Sequence, residues 1–250
     1  LYTLHRHDAP LPLAHTLEHL EEHVEANDHF EFFVFPYTRT ALTRRTRRSH
    51  DEPAPPARLA RLLQEELVEN GALSLACRTG RRFPGLAPGL NRLITTAMSE
   101  ARVEDYAFNV YASRRAVHFT EMEYAIPRHH AAEAVERVLD LVARRRLPIL
   151  FPLEVRFSAG DDAFLSTAHG RDTCYLAVHQ YTGMEFEAYF RAVEEIMDSL
   201  EGRPHWGKRH YQRAATLRGR YPGWERFQAV RSRLDPEGRF VNDYTRRVLG

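Results

Sequence analysis

Lysine is almost missing from this chain: of 35 lysine and arginine residues, every one except Lys208 is arginine. Arginine is a planar, permanently charged fork and lysine a compact point charge. The lone ammonium in "RPHWGKRHY" (203–211) therefore marks a place where the shape of the cation matters. Cysteine is scarce too. Cys77 and Cys174 lie far apart without metal-like spacing, which argues against a disulfide scaffold and for a reducing, cytoplasmic compartment. No apolar run reaches the length of a membrane span, and the opening "LYTLHRHDAP" has neither an apolar signal core nor an initiating Met. It reads as part of a longer or processed product. Nor is charge of one sign in excess: 35 basic against 34 acidic residues leave a net +1 and no global field for nucleic acid. The basic runs "TRRTRR" (43–48) and "ARRRLP" (143–148) read as a strand edge and a helix end.

What is present is an ordinary globular balance, 43% hydrophobic and 28% charged over 250 residues, enough to bury a core. Leu13, Leu17, Leu20 and Val24 give 12–27 a helical period, and "DHFEFFVFPY" (28–37) and "RTALTRRTRR" (39–48) read as paired strands. After the break "DEPAPP" (51–56), a helix is expected over 57–70. The order then repeats: a strand at 117–127, a helix at 129–146, strands at 149–159 and 173–182, and a helix at 185–202. This predicts an α+β fold: one large, mostly antiparallel sheet built from two strand-helix-strand-strand-helix halves, with helices on one face. Residues 71–116 are the least legible, with a loop at 80–91 and a helix at 90–101. Residues 1–220 are expected to form the main domain, and 221–250 a helix, an Asp-Pro turn and an irregular tail.

Strand periodicity picks out the chemistry. In "PLEVRFS", Glu154 and Arg156 share one face while Leu153, Val155 and Phe157 take the other. An exposed ion pair of this kind is worth little, but this strand looks central. In "LAVHQYT", His179 and Tyr181 share a face, and pairing of the two strands would join His179 to Glu154 and Arg156. Residues 204–208 could close over that patch. "HTLEHLEEH" places His15, His19 and His23 on one helical face and contains an H-x-x-E-H pattern. Without a downstream carboxylate ligand it reads as a solvated stripe, and no metal site is expected.

Five stretches together, "NDHFEFFVFPYT" (27–38), "EMEYAIP" (121–127), "LEVRFSAGDDAFLS" (153–166), "GRPHWGK" (202–208) and "LDPEGRFVNDYTRRVLG" (234–250), resemble the sugar-1,4-lactone oxidases and dehydrogenases among the vanillyl-alcohol-oxidase-type flavoproteins. The resemblance implies the substrate or cap domain of an FAD enzyme, whose N-terminal flavin domain has no counterpart here and would be its partner. It implies catalytic roles for Glu154, Arg156 and Lys208, substrate contacts for His179, Tyr181 and His205, and cofactor contacts for Lys208, Trp206 and Asn242. The substrate would be a small sugar lactone. A polyol-oxidising relative and a non-catalytic binding module stay open as alternatives.

Overall fold

The computed structural model describes residues 1–50, 52–53, 71–112 and 116–250. The helix expected over 57–70 lies outside them. Strands β1 (Thr3–Pro12), β2 (His29–Val34), β3 (Thr40–Ser49) and β4 (Ala101–Tyr106) come from the first half of the chain. The second half supplies β5 (Phe119–Pro127), β6 (Leu153–Ser158), β7 (Thr173–Tyr181) and β8 (Arg203–Pro204). They form one sheet in the order β4-β1-β3-β2-β6-β7-β5-β8, with every neighbouring pair antiparallel. Counted within its own half, each set runs 4-1-3-2, and the halves meet where β2 pairs with β6. The two halves expected from element order thus share one split βαβ topology.

Between the strands lie α1 (Leu13–Glu18), α2 (Leu20–Glu25), α3 (Leu73–Arg82), α4 (Ala87–Thr96), α5 (Ala107–Tyr111), α6 (Ala131–Arg145) and α7 (Glu187–Asp198). After β8 come α8 (Ala214–Leu217), α9 (Trp224–Leu234) and α10 (Asp243–Leu249). The period of two in the strands makes one sheet face apolar: Phe32, Val34, Leu153, Val155, Leu176, Val178, Met122 and Tyr124 are buried. The main core joins these to Val135, Val138 and Val142 of α6 and to Phe190, Val193 and Met197 of α7. Residues recurring every three or four positions give both helices an apolar stripe that fits this face. The opposite face carries the charged side chains, with Phe33, Leu42, Ala177 and Phe119 among them.

Several expectations change in the structure. The helix over 12–27 divides at His19 into α1 and α2. β1 is the opening strand that the strand-helix-strand-strand-helix pattern requires of the first half, whereas β4 was not foreseen; Pro10 and Pro12 of β1 lie beyond the stretch paired with β4, where a strand tolerates proline. "TRRTRR" is not at an edge. It lies in β3, between β1 and β2, because Arg44 is neutralised by Asp8 and Glu31 on its two neighbours. The loop expected at 80–91 contains the end of α3, a 3-10 turn and the start of α4; the helix expected at 90–101 ends at Thr96, and residues 101–106 form strand β4. The irregular tail ends in α10, capped by the Asn242 side chain accepting from the Thr245 N–H.

The core is tight where α7 hands over to β8. A Cβ on Gly202 would lie 2.6 Å from the Met197 carbonyl oxygen and 2.9 Å from the Tyr124 ring. Gly202→Ala is therefore expected to destabilise the fold by about 1–3 kcal/mol. A thermal midpoint indistinguishable from wild type would show that the turn relaxes freely.

Candidate active site

The polar sheet face carries a row of alternating charge. Starting at β1, it runs Asp8, Arg44, Glu31, Arg156, Glu123 and Lys208. Arg44 reaches Asp8 and Glu31, each at 3.0 Å. Burial disfavours its charge, but the two carboxylates outweigh that and raise its pKa. Register sets the rest. Glu31 lies opposite Arg156, and Glu154 and Glu123 both lie opposite Ala177, one on each side of β7. Only a methyl group separates those two acids, so Arg156 crosses the middle strand to Glu123 at 2.5 Å while its Nε stays 3.5 Å from Glu154.

Lys208 enters from the sheet edge. After β8, the His205 N–H donates to the Glu123 carbonyl and the Arg209 N–H to the Glu121 carbonyl, so 205–208 leave β5 and rejoin it two residues along. That excursion sets the ammonium on two carboxylates, Glu121 at 2.6 Å and Glu123. Trp206 anchors the loop on the outside: its indole N–H donates to the Leu165 carbonyl, its ring packs against Tyr221, and the Tyr244 hydroxyl donates to its carbonyl.

His179 closes the cluster. Its Nε2 is 3.2 Å from Glu121 and 4.0 Å from Glu154, and its Nδ1 is 3.3 Å from the Pro152 carbonyl. The rings of Phe119 and Phe151 wall it in, at centroid distances of 4.8 Å and 5.9 Å. Three carboxylates thus face two fixed cations and an imidazole with an acceptor at each nitrogen. Arg156 is 40% exposed, which opens the cluster to solvent. Burial alone would raise the Glu121 pKa, but hydrogen bonds from His179 and Lys208 hold it at about 2. Glu121 therefore holds its neighbours in place and is a poor base.

The linkage has a definite sign. A carboxyl with an ordinary value of 4.5 and a folded value of about 2 adds stability above pH 4.5 and loses it as the pH falls toward 2. The amount is about 3 kcal/mol. Glu121→Gln is expected to flatten the fall in unfolding free energy between pH 5 and pH 3. A slope unchanged from wild type would contradict the Glu121 ion pairs.

Glu154, Arg156, His179 and Lys208 meet as expected. The other candidates do not join them. Tyr181 continues the His179 strand face, with Arg81 over its ring at 5.7 Å. His205 accepts from the Gly207 N–H, Trp206 faces Leu165 and Tyr221, and Asn242 caps α10. Glu121 and Glu123 were missed, although "EMEYAIP" carries the same i, i+2 signal as "LEVRFS". Among the described residues, Glu121, Glu154 and His179 are the one grouping whose potential ligand atoms all lie within 4.8 Å of one another. The histidine stripe is not such a grouping: its helix breaks at His19, and His23 stacks on Phe30.

The family model for D-arabinono-1,4-lactone oxidase matches residues 1–248. The chain belongs to this family. L-gulono-1,4-lactone dehydrogenase of Mycobacterium tuberculosis is 67% identical over 250 residues, covering 100% of this chain and 58% of that protein. Alditol oxidase of a Streptomyces species is 42% identical over 135 residues, covering 52% of this chain and 31% of that protein. In fold, the chain is similar to cholesterol oxidase from B. sterolicum, with a TM-score of 0.72 at 16% identity over 99% of this chain and 60% of the other. This lactone oxidase family member thus spans a little over half the length of the mycobacterial relative. No helix among its described residues is long and apolar enough to cross a membrane.

Proposed function

We propose that this chain is the substrate-facing part of an FAD-dependent oxidoreductase that oxidises a secondary CH–OH group of a sugar-1,4-lactone. The observation that carries the reading is the convergence of Glu154, Arg156, His179 and Lys208 on one open sheet face. The gulonolactone relative covers the whole chain and the alditol oxidase about half of it, which favours a lactone over a polyol.

The residues fit the ring edge of a flavin and not its phosphates. Two cations beside a partly open carboxylate suit a ring that gains negative charge. "GRRFPGLAPG" (80–89) folds into the end of α3, a 3-10 turn and the start of α4, and no glycine-rich strand-to-helix turn appears among the described residues. Phosphate binding is therefore assigned to a separate flavin domain, in keeping with the 58% span of the mycobacterial relative. FAD, when bound, supplies the hydride acceptor.

The chain's own residues supply position, charge and a proton acceptor. Arg156 and Lys208 hold fixed positive charge where negative charge grows, and it needs no reorganisation as the reaction proceeds. Glu154 is buried, with Arg156 Nε 3.5 Å from one carboxylate oxygen and His179 Nε2 4.0 Å from the other, both longer than an ordinary hydrogen bond, so the carboxylate keeps the capacity to take the substrate hydroxyl proton. His179 Nε2 faces that carboxylate and Glu121 and fixes their spacing. Glu121 and Glu123 seat the ammonium.

Ala177 is the register position that lets Arg156 reach Glu123. Ala177→Leu is expected to lower lactone-driven reduction in the full-length enzyme about tenfold or more while the protein stays folded. An unchanged rate would show that the cross-strand reach does not matter.

The test of the reading is a substrate panel on flavin-loaded full-length protein under anaerobic conditions. Gulono-, galactono- or arabinono-1,4-lactone should bleach the flavin, and polyols should do so far more slowly. Bleaching by polyols alone would favour the alditol reading. A protein that never takes up flavin would leave a binding module. Residues 1–250 alone should retain no FAD after desalting, and stoichiometric retention would overturn the assignment of phosphate binding to another domain.

A further inference from the structure

A second basic concavity lies away from the carboxylate cluster. The N-terminal part of α7, the 209–213 segment and α10 enclose a cleft of about 450 Å³ lined by Arg191, Arg209, Arg213, Arg247 and His210. Its single carboxylate is Glu187, which pairs with Arg191 at 3.3 Å. Among the described residues no carboxylate lies within 4 Å of the side-chain nitrogens of Arg209, Arg213 or Arg247. The guanidiniums are held in other ways. Arg191 lies 3.9 Å from the Tyr211 ring centroid and Arg209 5.7 Å from that of Phe186, and Arg247 donates to the carbonyls of Gln212 at 2.6 Å and His210 at 3.2 Å. Stacking and backbone bonds orient a guanidinium without neutralising it.

His210 adds a different element. The Tyr244 hydroxyl gives its proton to the Trp206 carbonyl, so it accepts from His210 Nε2 at 3.0 Å. That fixes the tautomer with a bare Nδ1. The side chain is 5% exposed and Nδ1 has no partner. Burial and then Arg247 lower the ring's pKa to about 4, so near neutrality Nδ1 remains an acceptor waiting for a donor. A buried acceptor without a donor is costly, and arginines cannot all approach it without repelling one another. A ligand that satisfies both brings oxyanion oxygens for the guanidiniums and one O–H for Nδ1.

We propose that this cleft binds a phosphoryl dianion with a hydroxyl to donate: monohydrogen phosphate or a small hydroxylated phosphate monoester. The charge calls for a dianion, since three guanidiniums lack a carboxylate and the fourth shares one. The aromatic rings already lie under guanidiniums, so the cleft offers no bare ring face to a nucleobase. Arginine forks match phosphoryl oxygens in pairs, and the volume suits a small solute.

Sulfate provides the decisive control, because near pH 7.5 it has the charge of monohydrogen phosphate but no O–H. Inorganic phosphate, glycerol 3-phosphate and sulfate are titrated calorimetrically into flavin-loaded full-length protein at constant ionic strength. Phosphate or the monoester is expected to bind saturably and about tenfold or more tightly than sulfate. Arg209→Gln with Arg213→Gln should weaken that binding about tenfold or more, with bound flavin and circular dichroism unchanged. His210→Phe should bring phosphate down to the level of sulfate and leave sulfate as it was. Tighter binding of inorganic phosphate identifies the free anion as the ligand, and tighter binding of glycerol 3-phosphate identifies an ester. Equal affinity for sulfate and phosphate, no saturable binding of either phosphoryl probe, or full affinity in the double arginine variant overturns the proposal. Should His210→Phe fail to fold, the arginine pair decides.

Discussion

Lys208→Met in the full-length enzyme should slow flavin reduction by a sugar lactone about a hundredfold or more, and Lys208→Arg nearly as much. The ammonium sits between Glu121 and Glu123 in a niche where its side chain is 19% exposed, and Arg156 already donates to the same Glu123 oxygen. A guanidinium is broader and planar, and it cannot take two carboxylates approached from one strand edge without displacing Arg156. Methionine removes the cation and leaves Glu123, 2% exposed, with one partner in place of two. A loss of about 3 kcal/mol of transition-state stabilisation is expected from a fixed charge at this position. Rescue by an added small alkylammonium in Lys208→Ala, where the truncated side chain leaves room for it, separates the missing charge from a collapsed loop: recovery of rate there ties the defect to the charge. Turnover of Lys208→Arg close to wild type would make the solitary lysine an accident of composition.

Glu154→Gln is expected to cost a hundred- to a thousandfold in the same step, about 3–4 kcal/mol. The amide keeps the volume and the contact toward Arg156 but cannot take a proton. Arg156→Lys should lose a comparable amount, because only a long fork reaches across Ala177 to Glu123 while facing Glu154. Glu154→Gln should lower the limiting rate of flavin reduction while substrate affinity changes little. Rates within threefold of wild type for both variants would reduce the pair to a structural ion pair.

The legible part of the site was the part that follows from period two. "LEVRFS" and "LAVHQYT" each place their polar residues on one face, and pairing of β6 with β7 then brings them together without further information. Applied to "EMEYAIP", the same reasoning would have found Glu121 and Glu123; a carboxylate row on an otherwise apolar strand is a signal of the same strength. The solitary lysine pointed to its loop, but not to its two acceptors, because those depend on where 205–208 leave and rejoin β5. Trp206 lies apart from the cluster for a related reason. Residues alternate sides in a strand, but 205–208 are a turn, and a turn can send its aromatic ring outward to Leu165 and Tyr221 while its lysine points inward. In the fold, β4 escaped notice and β1 was given no bounds because strands rich in charge do not alternate cleanly, yet the sheet pairs them through Asp8, Arg44 and Glu104 with partners far along the chain. The arginine cleft has no local signature. Its residues come from α7, from 209–213 and from α10, and only tertiary structure brings them together.

On the proposed reading, one sheet face, with Glu154, Arg156, His179 and Lys208, is where substrate is oxidised. The most direct measurement is anaerobic stopped-flow mixing of the flavin-loaded full-length protein with a sugar-1,4-lactone, in wild type and in a Glu154→Gln, Lys208→Met double variant that retains its flavin and its circular dichroism spectrum. Wild type should bleach in a single substrate-dependent phase, and the double variant should keep its colour through the time of many wild-type turnovers. Bleaching of the double variant at the wild-type rate would contradict the claim.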